Sequence, residues 1–431
     1  MRNTLLFAGV ATLFLLTGFF QSWNLALNIL NLALISAVMA IGVNIQWGWA
    51  GLFSAGIVGF VALGGVGVAL VSGNPVAGAW EAGTPEILSA LVFGAIAIVL
   101  AVWMQKKLPK GSTRTLATIA FLLVCFFIYR ALLDPAVMAV EANDSSKAGH
   151  IGGLGFNSLW AWPVGAALAG AVAWVIGKVA LGLREDYLAI ATLGIGEIII
   201  AALRNEDWLA RGVKNLIDLP RPWPVPYELE LQRNPDFTDW IGLVNADPVP
   251  ASAIAVKLLY AGLFAIIVLV LLWLCERALN SPWGRMTRAI RDNEISAAAM
   301  GKNVKYRHLQ IFILGSAVVG LAGAMMTSLD GQLTPSSYAP LRFTFLIWVM
   351  VIVGGSGNNK GAILGGILIG WLYLAAESFG PMIMGWLTSV LPAGPVKTQL
   401  AESAAHMRLL MLGVILLLVL RFAPRGLIPE K

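Results

Sequence analysis

The run Leu258-Leu259-Tyr260-Ala261-Gly262-Leu263-Phe264-Ala265-Ile266-Ile267-Val268-Leu269-Val270-Leu271-Leu272-Trp273-Leu274 carries no charge and is apolar on every face. A surface helix of a soluble protein keeps a polar stripe, and a strand of a membrane barrel alternates apolar with polar every second residue. This stretch does neither, and Leu409 to Leu420 repeats the pattern near the other end of the chain. A segment of about 20 apolar residues spans a bilayer as a helix because helical hydrogen bonding satisfies its backbone internally. The sequence therefore predicts an all-α polytopic membrane protein.

Composition agrees. The 431 residues are 58% hydrophobic and 12% charged, against roughly 45–50% and about 25% in soluble domains. Candidate spans cover 4 to 20, 25 to 45, 50 to 71, 86 to 104, 115 to 133, 159 to 181, 187 to 203, 251 to 275, 308 to 328, 343 to 356, 361 to 391 and 407 to 421. Since several are short or interrupted, about 10–12 membrane segments are expected, some of them broken or re-entrant. Thr4 to Phe20 follows Arg2 and meets no small-x-small cleavage site before the next apolar run, so it is expected as a retained first helix. We divide the chain into an N-terminal membrane segment, 1–24, and a main membrane domain, 25–431.

The two cysteines, Cys125 and Cys275, sit in apolar runs without ligand spacing, and neither a disulfide framework nor a metal site is expected. The net charge of +6 does not indicate nucleic acid, because the basic residues fall between membrane segments. Lys106, Lys107, Lys110 and Arg114, then Arg184, the cluster from Arg277 to Arg307, and Arg421, Arg425 and Lys431 share one side if the N-terminus is cytoplasmic. Both chain ends are then expected inside. Residues 134–158 and 204–250 become periplasmic insertions, the second carrying eight acids against five bases. Trp160, Trp162, Trp208 and Trp273 lie near span ends, where interfacial indoles collect. Lys178, Lys257 and Arg130, also near span ends, are expected to snorkel.

Two apolar runs are broken by glycine, at Gly48-Trp49-Ala50-Gly51 and at Gly354-Gly355-Ser356-Gly357. Each glycine costs a helix about 1 kcal/mol relative to alanine. Paired breaks point to an inverted repeat around a central pathway, or to close helix packing alone. Glu197 is the strongest ionisable candidate inside a span, where insertion costs about 2.5–3.5 kcal/mol. It either lines a pathway or braces two helices. Asn44, Ser54 and Thr192 are polar residues of the same double character, and with Gly51, Gly354 and Gly355 they complete the candidate translocation path.

The loop 276–307 is the most informative polar stretch. Ser281-Pro282-Trp283-Gly284 reads as a turn, Arg285 to Arg291 as a basic helical turn, and Asp292 as the N-cap of a short helix from Asn293 to Met300, stopped by Gly301. Ile295, Ala298 and Ala299 form a narrow small-residue face that would admit a close partner, or alternatively lie against lipid headgroups.

Asp292-Asn293-Glu294-Ile295-Ser296-Ala297-Ala298-Ala299-Met300-Gly301-Lys302-Asn303 resembles the coupling loop of ABC importers. Asn44-Ile45-Gln46-Trp47-Gly48-Trp49-Ala50-Gly51-Leu52-Phe53-Ser54 is similar to an N-x-x-x-G-x-x-G-x-x-S signature, and Asp186 to Ile198 to D-Y-L-A-I-x-T-L-G-x-G-E-I. With Val353-Gly354-Gly355-Ser356-Gly357 and Arg421-Phe422-Ala423-Pro424-Arg425-Gly426-Leu427, all in order, the chain resembles the branched-chain amino acid ABC transporter permease family of LivM type from about residue 25 onward. The family commonly has Gly-His after the first signature, where this chain has Gly56-Ile57, and both insertions are longer than usual.

The resemblance implies a non-catalytic permease subunit of the bacterial inner membrane. Its partners would be a second, LivH-like permease, two ABC ATPase subunits, a periplasmic substrate-binding protein and membrane lipid, with no nucleic acid. Arg291, Asp292, Glu294, Ile295, Ala298, Ala299, Gly301 and Asn303 would couple to the ATPase. No cofactor is expected on this chain, ATP and Mg lying on the partner ATPase subunits, because no G-x-x-x-x-G-K-[ST] loop occurs. The substrate would be a branched-chain amino acid, or urea or a short amide. An ion-coupled secondary transporter is the rival class, and it needs more buried ionisable groups than Glu197. A membrane enzyme is disfavoured by the scattered His150, His308 and His406 and by the lack of a nucleophile motif.

Overall fold

The computed structural model describes residues 2–76, 78–109, 111–143, 149–243, 246–389 and 407–430. Lys110, His406 and Lys431 lie outside them. The described residues are helical throughout, joined by turns and one isolated bridge between Leu216 and Leu333. Nine of the described helices are long and apolar enough to cross a membrane. These are α1 (Arg2–Phe20), α2 (Trp23–Val43, prolonged by a π-turn over Asn44–Gly48), α5 (Thr84–Lys107), α6 (Ser112–Ala142), α7 (Ser158–Ala180), α8 (Glu185–Asn205), α12 (Pro248–Leu279), α15 (Val304–Asp330) and α17 (Asn359–Thr388). Three shorter apolar helices accompany them: α3 (Ile57–Ser72), α16 (Leu346–Gly354, preceded by a π-turn over Leu341–Phe345) and α18 (Met407–Phe422). Every span read from the sequence is thus occupied by a helix.

The helices of the centre meet through missing side chains. In lipid there is no hydrophobic gain in bringing two helices together, so association rests on close packing. A Cβ on Gly64 of α3 would lie 1.9 Å from the carbonyl oxygen of Gly320 on α15, and one on Gly67 would lie 2.4 Å from the Cα of Gly165 on α7. α3, α7 and α15 are therefore in backbone contact. α2 packs beside them and against α17, with Ala37 of α2 meeting Gly366. Buried indoles fill the remaining space, Trp162 donating to Ser328 Oγ at 2.9 Å.

The two ends of this bundle differ. One gathers the segment after α3, residues 149–157 and the connection from α8 to α12: Ile151 N donates to Trp208 O, Gly153 N to Asn74 O, and Leu216 and Leu333 exchange backbone bonds. That connection carries three short helices, α9 (Asp207–Ala210), α10 (Glu228–Arg233) and α11 (Pro235–Leu243). Tyr338 is fully buried beneath it, 3.4 Å from Thr327 Oγ1, and burial pushes its phenol up to about 12, which keeps it neutral. The opposite end carries the start of α1, the C-terminal ends of α2, α16 and α18, and the loop between α12 and α15.

Several expectations need correction. Residues 51–56 are not helical, so the third span begins at Ile57. The first insertion begins as helix, because α6 runs on to Ala142. Trp162 and Trp208 are core residues rather than interfacial indoles, whereas Trp160 and Trp273 are exposed. The two glycine breaks are not an inverted pair. Both lie at the C-terminal ends of helices that finish at the same end of the bundle, where Gly357 N donates to Asn44 Oδ1.

The glycine contacts make a prediction about stability. Gly64→Leu forces α3 away from α15 and is expected to cost at least the 1–3 kcal/mol typical of overpacking, read as a lowered melting temperature in detergent. Gly262→Leu on α12, where a Cβ meets nothing within 4 Å, leaves it unchanged.

Candidate functional site

The first glycine break closes on the second. Asn44 begins the π-turn that ends α2 and is fully buried. Its Oδ1 accepts from Gly357 N at 2.8 Å and its Nδ2 donates to Asn359 Oδ1 at 3.1 Å. The same Asn359 oxygen accepts from Trp49 Nε1 at 3.1 Å, and Asn359 Nδ2 donates to Glu276 Oε1, 3.3 Å away on α12. A Cβ on Gly48 would lie 2.5 Å from Gly357 N, so only glycine allows the two breaks to touch. The chain after α18 then crosses over them. Leu427 N and Ile428 N donate to Val353 O and Gly354 O, and Asn358 Nδ2 donates to Pro429 O.

The loop between α12 and α15 is built as a unit beside this junction. Ser281 caps α13 (Pro282–Asp292), and Asn293, in extended backbone, caps α14 (Glu294–Ala299) by accepting from Ser296 N at 2.9 Å. Asp292, expected as the cap, is instead the last residue of α13. Helix α13 persists through it, and the break falls one residue later where Asn293 turns extended. Gly301, at φ +76°, ends α14 as expected. Ile290, Ala297, Val304 and Met286 form a small hydrophobic core under the two helices. On the outer side Ile295, Ala298, Ala299 and Met300 are exposed, Ile295 by 83%. Asn303 caps the next helix by accepting from Tyr306 N at 3.1 Å.

Arg291 joins loop and junction. Its guanidinium donates to the Gly48 carbonyl, forms an ion pair with Glu430 at 2.9 Å, and reaches Asp292 at 3.4 Å. Trp283 of α13 stands edge-on to Trp49, ring centres 6.2 Å apart. A cavity of about 220 Å³ lies alongside, lined by Gly51, Leu183, Ile290, Arg291, Glu294 and Lys305 among others. A displacement of α14 therefore reaches both glycine breaks through one side chain.

A second cluster surrounds the non-helical segment 51–56. A non-helical backbone within a helical bundle frees hydrogen-bonding groups that must find partners. Ala55 N donates to Thr192 Oγ1 at 3.0 Å, Thr344 Oγ1 donates to Ala55 O at 3.2 Å, and Trp348 Nε1 donates to Ser54 O at 3.1 Å. A Cβ on Gly56 would lie 2.3 Å from Thr192 O, so α8 presses directly on the segment. The Ser54 hydroxyl is buried without a partner among the described residues.

Sequence reasoning grouped these residues as one pathway. The structure divides them: Asn44, Gly354 and Gly355 sit in the terminal junction, Gly51 beside Arg291, and Ser54 and Thr192 in the second cluster. Glu197 stands apart. It is exposed on α8 and makes no hydrogen bond or ion pair among the described residues, so the expected brace within this chain is not formed. Phe53, Tyr187 and Phe345 are exposed around the same segment. Sequence reasoning missed Asn359, Glu276, Thr344, Trp348 and Glu430. Asn359 could have been found as a polar residue just after a glycine break; the others gave no local signal.

Comparison with known proteins agrees with this anatomy. The chain is 28% identical over 299 residues to the high-affinity branched-chain amino acid transport system permease protein LivM of Escherichia coli, a match covering 68% of this chain and 61% of that one. It is 27% identical, with the same coverage, to the protein of that name from Salmonella typhimurium. The matched region thus spans about 61% of the length of these curated relatives. No solved structure matches. The family model for the branched-chain amino acid transport system permease component matches residues 25–420, and the chain belongs to that family of membrane transport permeases.

Proposed function

We propose that this chain is the permease subunit of an ATP-driven importer, moving branched-chain amino acids or related small polar solutes across the bacterial inner membrane. The observation that carries the reading is Arg291, which ties an exposed small-residue helix to both glycine breaks. ATP and Mg are held by two ATPase subunits on the cytoplasmic side. The face of Ile295, Ala298, Ala299 and Met300 seats in a groove on one of them, Glu294 lying at its start. With that end cytoplasmic, the first and last helices begin and finish inside, and α9 to α11 face the periplasm and a substrate-binding protein.

Transmission follows the contacts. Closure of the ATPases moves α14, the small core carries α13 with it, and Arg291 pulls on the Gly48 carbonyl and on Glu430. The junction then shifts the C-terminal ends of α2 and α16, between which segment 51–56 is suspended by Thr192, Thr344 and Trp348. The exposed surface of Phe53, Tyr187 and Glu197 faces the second, LivH-like permease, and the solute passes between the two subunits. A carboxylate at membrane depth is tolerated there because such a cavity is wet.

Three outcomes are expected. Glu294→Arg combined with Ala298→Trp abolishes co-purification of the ATPase subunits while the variant stays in the membrane and keeps its second permease; ATPase capture at the wild-type level would sink the coupling assignment. Arg291→Ala keeps the assembly but lowers transport about tenfold or more at a given ATPase rate. That magnitude corresponds to losing a charged hydrogen-bond set worth about 1.5–3 kcal/mol, and uptake in reconstituted vesicles checks it. Glu197→Leu leaves folding and ATPase association intact and reduces uptake, whereas an unchanged uptake rate would remove Glu197 from the route.

A further inference from the structure

The hairpin of α5 and α6 stands apart from the rest of the bundle. Among the described residues its hydrophobic cluster with other elements is at one end, where Ile87, Ala90, Leu133, Ala136 and Val140 meet Trp208. Beyond that end the two helices face each other across an open furrow of about 700 Å³, within the range of roughly 300–1,000 Å³ found for ligand sites. Leu91, Ala95, Ile98, Leu122, Phe126 and Tyr129 line it. The lining is apolar apart from the Cys125 thiol and the Tyr129 phenol, which suits an apolar occupant.

The far end of the furrow is marked by charge. α5 has 24 residues, about 36 Å at 1.5 Å per residue, so the α5–α6 turn lies at the end of the molecule that carries Arg291. Lys106 and Lys107 are exposed there, Lys107 over the ring of the exposed Trp103 at 5.1 Å. Arg114 spans the turn, donating from one terminal nitrogen to Gln105 O at 3.1 Å, while its buried Nε has no partner among the described residues. No Asp or Glu occurs between Glu86 and Asp134, and Asp134 is already paired with Arg130 at 3.1 Å. Lys106, Lys107 and Arg114 thus stand without a counter-charge in their own hairpin, at the end of it away from Trp208.

We propose that the α5–α6 hairpin binds one anionic phospholipid, its phosphate at Lys106, Lys107 and Arg114 and an acyl chain lying in the furrow. The charge complements an acidic headgroup, the indole of Trp103 sits at headgroup level, and the furrow lies along the membrane normal below them. A neutral lipid would fill the furrow and leave the three cations unanswered. A helix of another subunit would need acidic residues at its end to do the same.

Native mass spectrometry of the full chain, delipidated and titrated with phosphatidylglycerol or phosphatidylcholine of identical acyl chains, tests this. Phosphatidylglycerol is expected to bind tighter by on the order of 100-fold, from about fivefold per cation, with the preference shrinking as salt rises. Because Arg114 also ties the turn, the informative variant is Lys106→Ala with Lys107→Ala, which keeps Arg114 and loses about 25-fold of the preference. Ala95→Trp, at an exposed lining position, is expected to weaken both lipids. Equal affinity for the two lipids, or a preference undiminished in the double lysine variant, would overturn the proposal. Phosphatidylglycerol with a photoreactive acyl chain is expected to label 91–98 and 119–129. Labelling confined to other helices, or lost once the second permease is bound, would assign the furrow to another occupant.

Discussion

A helix interrupted inside a membrane must find new partners for every backbone group the interruption frees, because the surrounding lipid offers none. That requirement organises this protein. Segment 51–56 leaves the helical path, and its carbonyls and amides are met by Thr192, Thr344 and Trp348 from two other helices. The π-turn before it and the turn at Gly355–Asn358 are met in the same way, Arg291 donating to the Gly48 carbonyl and Asn44 Oδ1 accepting from the Gly357 amide, while Asn359 ties Asn44 to Trp49. These side chains hold α2, α8, α16 and α17 in register, and the fold around the breaks depends on them.

Such a break is also where motion costs least. A continuous helix resists bending because each turn must lose a hydrogen bond, whereas a segment suspended by three side chains can move as those side chains turn. The loop carrying α13 and α14 is attached where this freedom is greatest. Its own core of Ile290, Ala297, Val304 and Met286 keeps it stiff, and Arg291 is its polar link to both breaks. A stiff lever on a compliant junction is the arrangement a remotely driven permease needs.

The periphery follows a different rule. α1, α5 and α6 bury little of their surface within the chain, and their exposed leucines, isoleucines and phenylalanines need only lipid or another subunit. The centre has glycine and alanine where the periphery has bulk, because backbones in contact leave no room for a side chain. The same contrast separates Gly64, which meets Gly320 at backbone distance, from Gly262, which faces open space.

The sequence by itself determined that the chain is a bundle of membrane helices, since uninterrupted apolar runs have only one way to satisfy their backbone in lipid, and each span it marked holds a helix. It also marked the loop from 276 to 307, because caps and a glycine stop are local and need no distant partner; even there the cap moved from Asp292 to Asn293. Tertiary structure alone decided what the polar residues do. Asn44 and Thr192 looked alike in sequence, yet one joins two glycine breaks and the other supports the non-helical segment 51–56. Glu197, the strongest ionisable candidate inside a span, is exposed on α8. Hydrogen bonds such as that from Asn44 to Gly357 join residues more than 300 positions apart, and no periodicity or local motif encodes a partner at that separation.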